Sequence, residues 1–130
     1  MSYGMAAALQ AAIYQRLVAE VPGVAVFDAP PAGGGTGTFV LIGPEEAVDA
    51  SDKTGAGAEH RLTVSVVTDA AGFLAAKAVA VSVSDALIGA TLVPARGRVV
   101  SLRFSRAVAR RLNEGEARRI DMTFRARVQD

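Results

Sequence analysis

The chain has 130 residues and no cysteine, a length at which folding buries roughly two thirds of the surface exposed by the unfolded form. Hydrophobic residues make up 51% and charged residues 21%, the balance of a folded globular chain, which excludes a disordered polymer, a disulfide scaffold and a thiolate zinc site. Net charge is +1, yet residues 1 to 95 hold four basic and nine acidic side chains (−5), whereas residues 96 to 130 hold ten arginines and four acids (+6).

From the N-terminus, Leu9, Ile13 and Leu17 recur every four residues with Ala6 and Ala12 beside them. This is the stripe of an amphipathic helix, and Pro22-Gly23 ends it. Gln10, Gln15, Arg16 and Glu20 interrupt the apolar run and no basic segment precedes it. It reads as neither a secretion signal nor a membrane span, and the expectation is a soluble intracellular chain. Two short β-prone runs follow, VAVF at 24–27 and TFVLIG at 38–43, separated by DAPPAGGGTG. Those glycines lack the Lys-Ser/Thr of a phosphate-binding loop, and no long helix follows to receive an anion, so a flexible loop is expected. The next stretch, PEEAVDASDKTGAGAE, carries Glu45, Glu46, Asp49, Asp52 and Glu59. Carboxylates suit Mg²⁺ or Ca²⁺, but the ligand and glycine spacing of an EF-hand is missing; the expectation is a solvated loop that holds no metal.

From Glu59 the chain alternates. His60, Leu62, Val64 and Val66 share one face, and Glu59, Arg61, Thr63 and Ser65 the other. His60, the single histidine, therefore ends an apolar face. No nucleophile and orienting carboxylate accompany it in sequence, so a structural role is expected rather than a catalytic one. Asp69 offers an N-cap for a helix from Ala70 to Ile88, with Gly89 as its C-terminal stop. Phe73, Ala76, Val79, Ala80, Val83 and Leu87 form its stripe; Val81 and Ile88 lie off it and suit contact with another subunit.

The last third reads as a long β-hairpin. Arg98 to Val108 is expected to place Val100, Leu102 and Phe104 inward, and Arg118 to Val128 to place Ile120, Met122, Phe124, Ala126 and Val128 inward. A turn falls at Asn113-Glu114-Gly115. Arg103, Arg119, Arg125 and Arg127 then line an outer face without aromatic residues to stack on bases. The charge polarity fits head-to-tail packing of identical subunits better than sequence-specific nucleic-acid binding. The fold class expected is α+β in a single domain spanning 1–130. An antiparallel-rich sheet of four to five strands carries two helices on one face, and its other face is polar.

The order of these parts resembles a known family. The AALQAAIYQRL helix, a VFD strand with a PP loop and FVLIG, the DKT of Asp52 to Thr54, the GxEH of Gly57 to His60, the Gly72 to Lys77 helix start and the closing FRARVQD are similar to the tail-completion, or tail-terminator, proteins of long-tailed phages and gene transfer agents. The resemblance implies a structural virion protein and no enzyme. It further implies a ring, typically of six subunits, on the head-proximal end of the tail tube, which stops tube growth and gives the head connector a docking surface. DNA would pass through the lumen without sequence-specific contact, and assembly would take place in the host bacterial cytoplasm with no membrane partner and no cofactor. Candidate interaction residues are Glu45, Glu46, Asp49, Asp52, Arg61, Arg103, Arg119, Arg125 and Arg127. A basic nucleic-acid-binding module and a small enzyme built around His60 are the competing readings.

Overall fold

In a computed structural model, which describes residues 3–51, 55, 57–112 and 117–130, the alternating run after Glu59 lies mid-sheet. Among the described residues there are five strands, β1 (Ala25–Phe27), β2 (Thr38–Asp49), β3 (Gly57–Thr68), β4 (Arg98–Leu112) and β5 (Ala117–Gln129), and two α-helices, α1 (Ala6–Glu20) and α2 (Leu74–Leu87). The strands form one sheet in the order β1-β2-β3-β5-β4. β1 runs parallel to β2; the remaining pairings are antiparallel. The fold is α+β with a long C-terminal pair of strands, as the periodicities require. The expected turn at Asn113-Glu114-Gly115 lies outside the described residues.

Both helices cover one face of the sheet. Leu9, Ile13 and Leu17 of α1 and Ala76, Val83 and Leu87 of α2 meet Val40, Val64, Val66, Met122 and Phe124 in one buried cluster. Burying each large apolar side chain in this way stabilises the fold by about 1.5–3 kcal/mol. Arg16 of α1 ties the helices together, its Nε donating to the Ala86 carbonyl at 2.8 Å. That carbonyl lies in the last turn of α2, where helix carbonyls lack partners and a cation is favoured.

Four sequence expectations need correction. The run from Pro44 onward is strand through Asp49, not loop: Gly43 and Pro44 form a bulge, after which β2 resumes its pairing with β3. Ladder pairing along a full neighbouring strand overrides the weak β-propensity of Pro, Gly and Glu. α2 begins at Leu74, with Phe73 as an N-cap that makes no side-chain bond, because the segment before it is held otherwise. The Asp69 carboxylate accepts from the Gly37 N–H at 3.0 Å, Thr68 Oγ1 accepts from the Ala70 N–H at 3.1 Å, and Arg118 Nη1 donates to the Ala70 carbonyl at 3.0 Å. In β4, Val100 is 47% exposed, because it is the extra residue at a bulge between Val99 and Ser101; a second bulge follows at Ser105. Val99 takes the inward place of Val100, while Leu102 and Phe104 face inward as expected, and Phe104, 44% exposed at the sheet edge, meets Phe124 edge-on at 5.9 Å.

The fourth correction concerns the sheet's outer face, which is not uniformly polar. Phe39 and Leu41 project there and are buried, Phe39 meeting Phe27 edge-on at 5.6 Å. The glycine-rich segment covers them: a Cβ on Gly35 would lie 2.8 Å from both Phe39 and Pro31. What reads as a free loop is in part a lid on a small apolar cluster.

Gly97, just before β4, has φ +63°, and a Cβ there would collide with Met5 Sδ and the Gln129 carbonyl. Gly72, ahead of α2, has open space around it. The same substitution should therefore act in opposite directions. Gly97→Ala is expected to destabilise by more than about 1 kcal/mol, and Gly72→Ala to be neutral or to stabilise by about 0.4–1 kcal/mol through the unfolded chain, as measured by urea denaturation.

Candidate functional site

His60 lies on the inner face of β3 and is fully buried. The bulge at Gly43-Pro44 brings Glu45 of β2 onto the same face, and His60 Nδ1 lies 2.8 Å from Glu45 Oε2. A carboxylate only accepts, so Nδ1 carries the hydrogen. Tyr3 stacks over the ring at 6.3 Å, and Nε2 is enclosed without a partner among the described residues. The nitrogen that would act as a base is sealed inside the protein. A carboxylate beside an imidazole can belong to a catalytic set, but here no substrate atom can reach the other ring nitrogen.

The outer face is where charge gathers. Cross-strand register places Arg103, Arg125, Arg61 and Glu46 in one row across β4, β5, β3 and β2. Arg127 faces Glu59 in the next row, and Arg119 faces Arg110 two rows beyond Thr123. The bulge at Ser105 turns Arg106 and Arg110 to this side as well. Arg61 is neutralised locally, by Glu59 at 2.8 Å and Glu46 at 3.2 Å. Asp121 serves as a hub: it accepts from Ser65 Oγ at 2.6 Å, from Arg110 Nε at 3.2 Å and from Arg119 Nε. Burial pushes the Asp121 carboxyl up, but the bonds from Arg119 and Ser65, the Arg119 charge and the Arg110 bond outweigh it and hold the group below the usual carboxylate range.

Arg127 donates to the Ala50 carbonyl at 3.1 Å. Arg103, Arg106 and Arg125 are exposed, and among the described residues no carboxylate lies within salt-bridge reach of them. Like charges directly opposite one another on adjacent strands repel. The sheet thus holds a cluster of cations that the described part of the chain does not neutralise.

The nine residues expected to make contacts separate accordingly. Glu46, Arg61, Arg103, Arg119, Arg125 and Arg127 share the outer face; Glu45 points to the inner face, where it pairs with His60. Asp49 accepts from Ser51 Oγ at 2.7 Å at the end of β2, bonds that draw its carboxyl below the usual range. Asp52 lies outside the described residues, as does the rest of the DKT motif. Arg106 and Arg110 are the members that sequence alternation missed.

A family model described as tail completion protein gp17 matches residues 7–129. The chain belongs to the tail completion protein family. Among solved structures, this tail completion protein is similar to a chain in the virion of a native gene transfer agent particle, with 58% identity, a TM-score of 0.89 and coverage of 99% of this chain and 100% of that one. No curated protein matches it. Membership gives the arginine-bearing face its setting: the protein has a structural role in the virion tail.

The Asp121 hub has a pH signature. A carboxyl held below its unfolded value of about 3.9 contributes stability that is complete above that value and is lost as pH falls through the lower folded value. Asp121→Asn is expected to cost about 1.5–3 kcal/mol at neutral pH. In denaturation curves from pH 7 to pH 2, the gap between wild type and variant should close only below pH 4.

Proposed function

We propose that this tail completion protein forms a ring, of six copies, on the head-proximal end of the tail tube, where it ends tube polymerisation and presents a docking surface to the head connector. The observation that carries this reading is the near-full-length likeness to a chain of a gene transfer agent virion, together with the family match. In this reading the chain performs no catalysis. DNA passes through the lumen without being read, the particle forms in the host bacterial cytoplasm, and no membrane or cofactor takes part.

The exposed arginines are the proposed contact with an acidic protein surface of the tube or connector. Arg103, Arg106 and Arg125 do not stabilise the monomer by pairing, and their repulsion is relieved only when an external anion meets them. Glu46 and Asp49, at the far end of the β2 and β3 pair, complete the proposed contact set with Asp52, Arg61, Arg119 and Arg127. A second reading, contact with a nucleic-acid backbone, draws on the same unneutralised cations. It would bring strong salt dependence, since each phosphate neutralised steepens the slope of log affinity against log salt by about 0.9.

Loss of the protein should uncouple tube growth from head attachment. Electron microscopy of a deletion strain is expected to reveal tails of irregular or excessive length and DNA-filled heads without tails, with joining rescued by added wild-type protein. Normal tails firmly joined to heads would refute the reading.

Arg125→Glu separates fold from function. The variant should be as stable as wild type or more stable by up to about 1 kcal/mol, because the like-charge contact with Arg103 is replaced by an attractive one. Joined particles should nonetheless fall in number. Duplex DNA binding that survives physiological salt in wild type and is lost in Arg125→Glu would favour the nucleic-acid reading.

A further inference from the structure

The two helices leave part of the sheet uncovered. α1 packs over β1 and against α2, and α2 lies over β3 and β5 and touches β4. Beyond α2, the inner face of the β4 and β5 pair opens into a groove of about 410 Å³. Ile120 and Met122 form its floor, Ala80 and Val81 its helix wall, and Ala107 and Ala109 its strand wall. Val81 is 59% exposed. Lys77 stands at the rim, over the Phe73 ring at 6.0 Å, and has no carboxylate partner among the described residues.

At the opposite edge of the same layer, α1 turns Ala7, Ala11, Tyr14 and Val18 outward. Steps of four, three and four residues put them on one stripe of the helix. Tyr14 is 42% and Val18 50% exposed. α1 is therefore apolar on two sides, and among the described residues the chain buries the side with Leu9, Ile13 and Leu17 and leaves the other exposed. Next to the stripe, Asp28 accepts a long bond from Gln10 at 3.5 Å and has no cationic partner among the described residues.

We infer that the outer stripe of α1 seats in this groove on the next copy, forming the head-to-tail joint of the ring; the inference rests on the ring reading above. Three observations select a second copy as the occupant. The two surfaces lie at opposite edges of one helical layer, so a copy displaced along the sheet brings its α1 into the vacant position beside α2. Their shapes are complementary, since alanines hollow the groove and Tyr14 and Val18 supply side chains to fill it. Their charges match, Lys77 at one and Asp28 at the other. A contact between two different patches on identical subunits propagates in one direction and closes into a ring when the rotation per copy allows.

A chain without cysteine lets cross-linking read the joint. Ala11→Cys and Ala109→Cys exchange small, exposed residues, and they are introduced singly and together in the strain that assembles the particles. With a short bis-maleimide, the double variant should give a covalent ladder ending at the copy number of the ring. Each single variant should stay monomeric, because position 109 faces position 11 and never its own counterpart. Particles with complete rings and no ladder from the double variant overturn the joint while the ring stands, as do ladders from a single variant. Particles that lack the chain, or carry it as one copy, overturn ring and joint together. Ala109→Arg supplies an independent readout: it fills the groove from an exposed position, so rings should be lost while thermal stability stays near wild type. Intact rings in that variant overturn the proposal.

Discussion

β3 and β5 pair without interruption from Gly57 opposite Gln129 to Thr68 opposite Arg118. Because side chains alternate along a strand, this one register assigns every residue in the middle of the sheet to a side. It sends Leu62, Val64, Val66, Met122 and Phe124 to the helices, and Arg61, Ser65, Asp121 and Arg125 to the opposite, charged side of the sheet. A slip of one residue would drive arginines under the helices and expose the core. The burial of the inner set against α1 and α2 is what makes such a slip costly, so the charge pattern outside is held in place by the hydrophobic pattern inside.

That division of labour explains an arrangement otherwise hard to justify. Arg103 and Arg125 stand side by side on adjacent strands with no carboxylate partner among the described residues, a pair that opposes folding instead of aiding it. The core tolerates the penalty because each such contact is small beside the burial of a single large side chain. Proteins commonly retain features of this sort where a surface has work to do with a partner, giving up some stability of the isolated chain.

Most of this division was legible in the sequence, because β3, β5 and α1 follow strict periods. Leu9, Ile13 and Leu17 announce the helix, and His60 to Val66 the strand. The failures occurred where the period breaks. Bulges insert a residue and invert the alternation, so a simple count turns Val100 inward and takes Arg106 and Arg110 off the outer face. A signal was present: continuing the count from Phe104 would have pointed both of those arginines into the apolar side, which is a reason to suspect an extra residue between. Pro44 and its neighbouring acids looked like a loop because β2 takes its order from β3, a pairing that local propensity does not reveal. Asp69 looked like a cap, yet its carboxylate is claimed by Gly37, 32 positions away. The candidate site was legible as a set of charges, but which arginines remain unneutralised depends on who faces whom across the strands.

The two bulges in β4 carry a further consequence. This strand is 15 residues long and forms the sheet's edge, with a row of backbone donors and acceptors open to any extended chain that approaches. A flat edge of that length invites indiscriminate strand addition and, with it, aggregation. The extra residues Val100 and Ser105 break the ladder at two points and add local twist, while Arg103, Arg106 and Arg110 surround the edge with positive charge. The same irregularities that defeated simple alternation thus guard the free subunit while it waits for assembly, leaving side-chain complementarity, and not bare backbone, to decide what may join it.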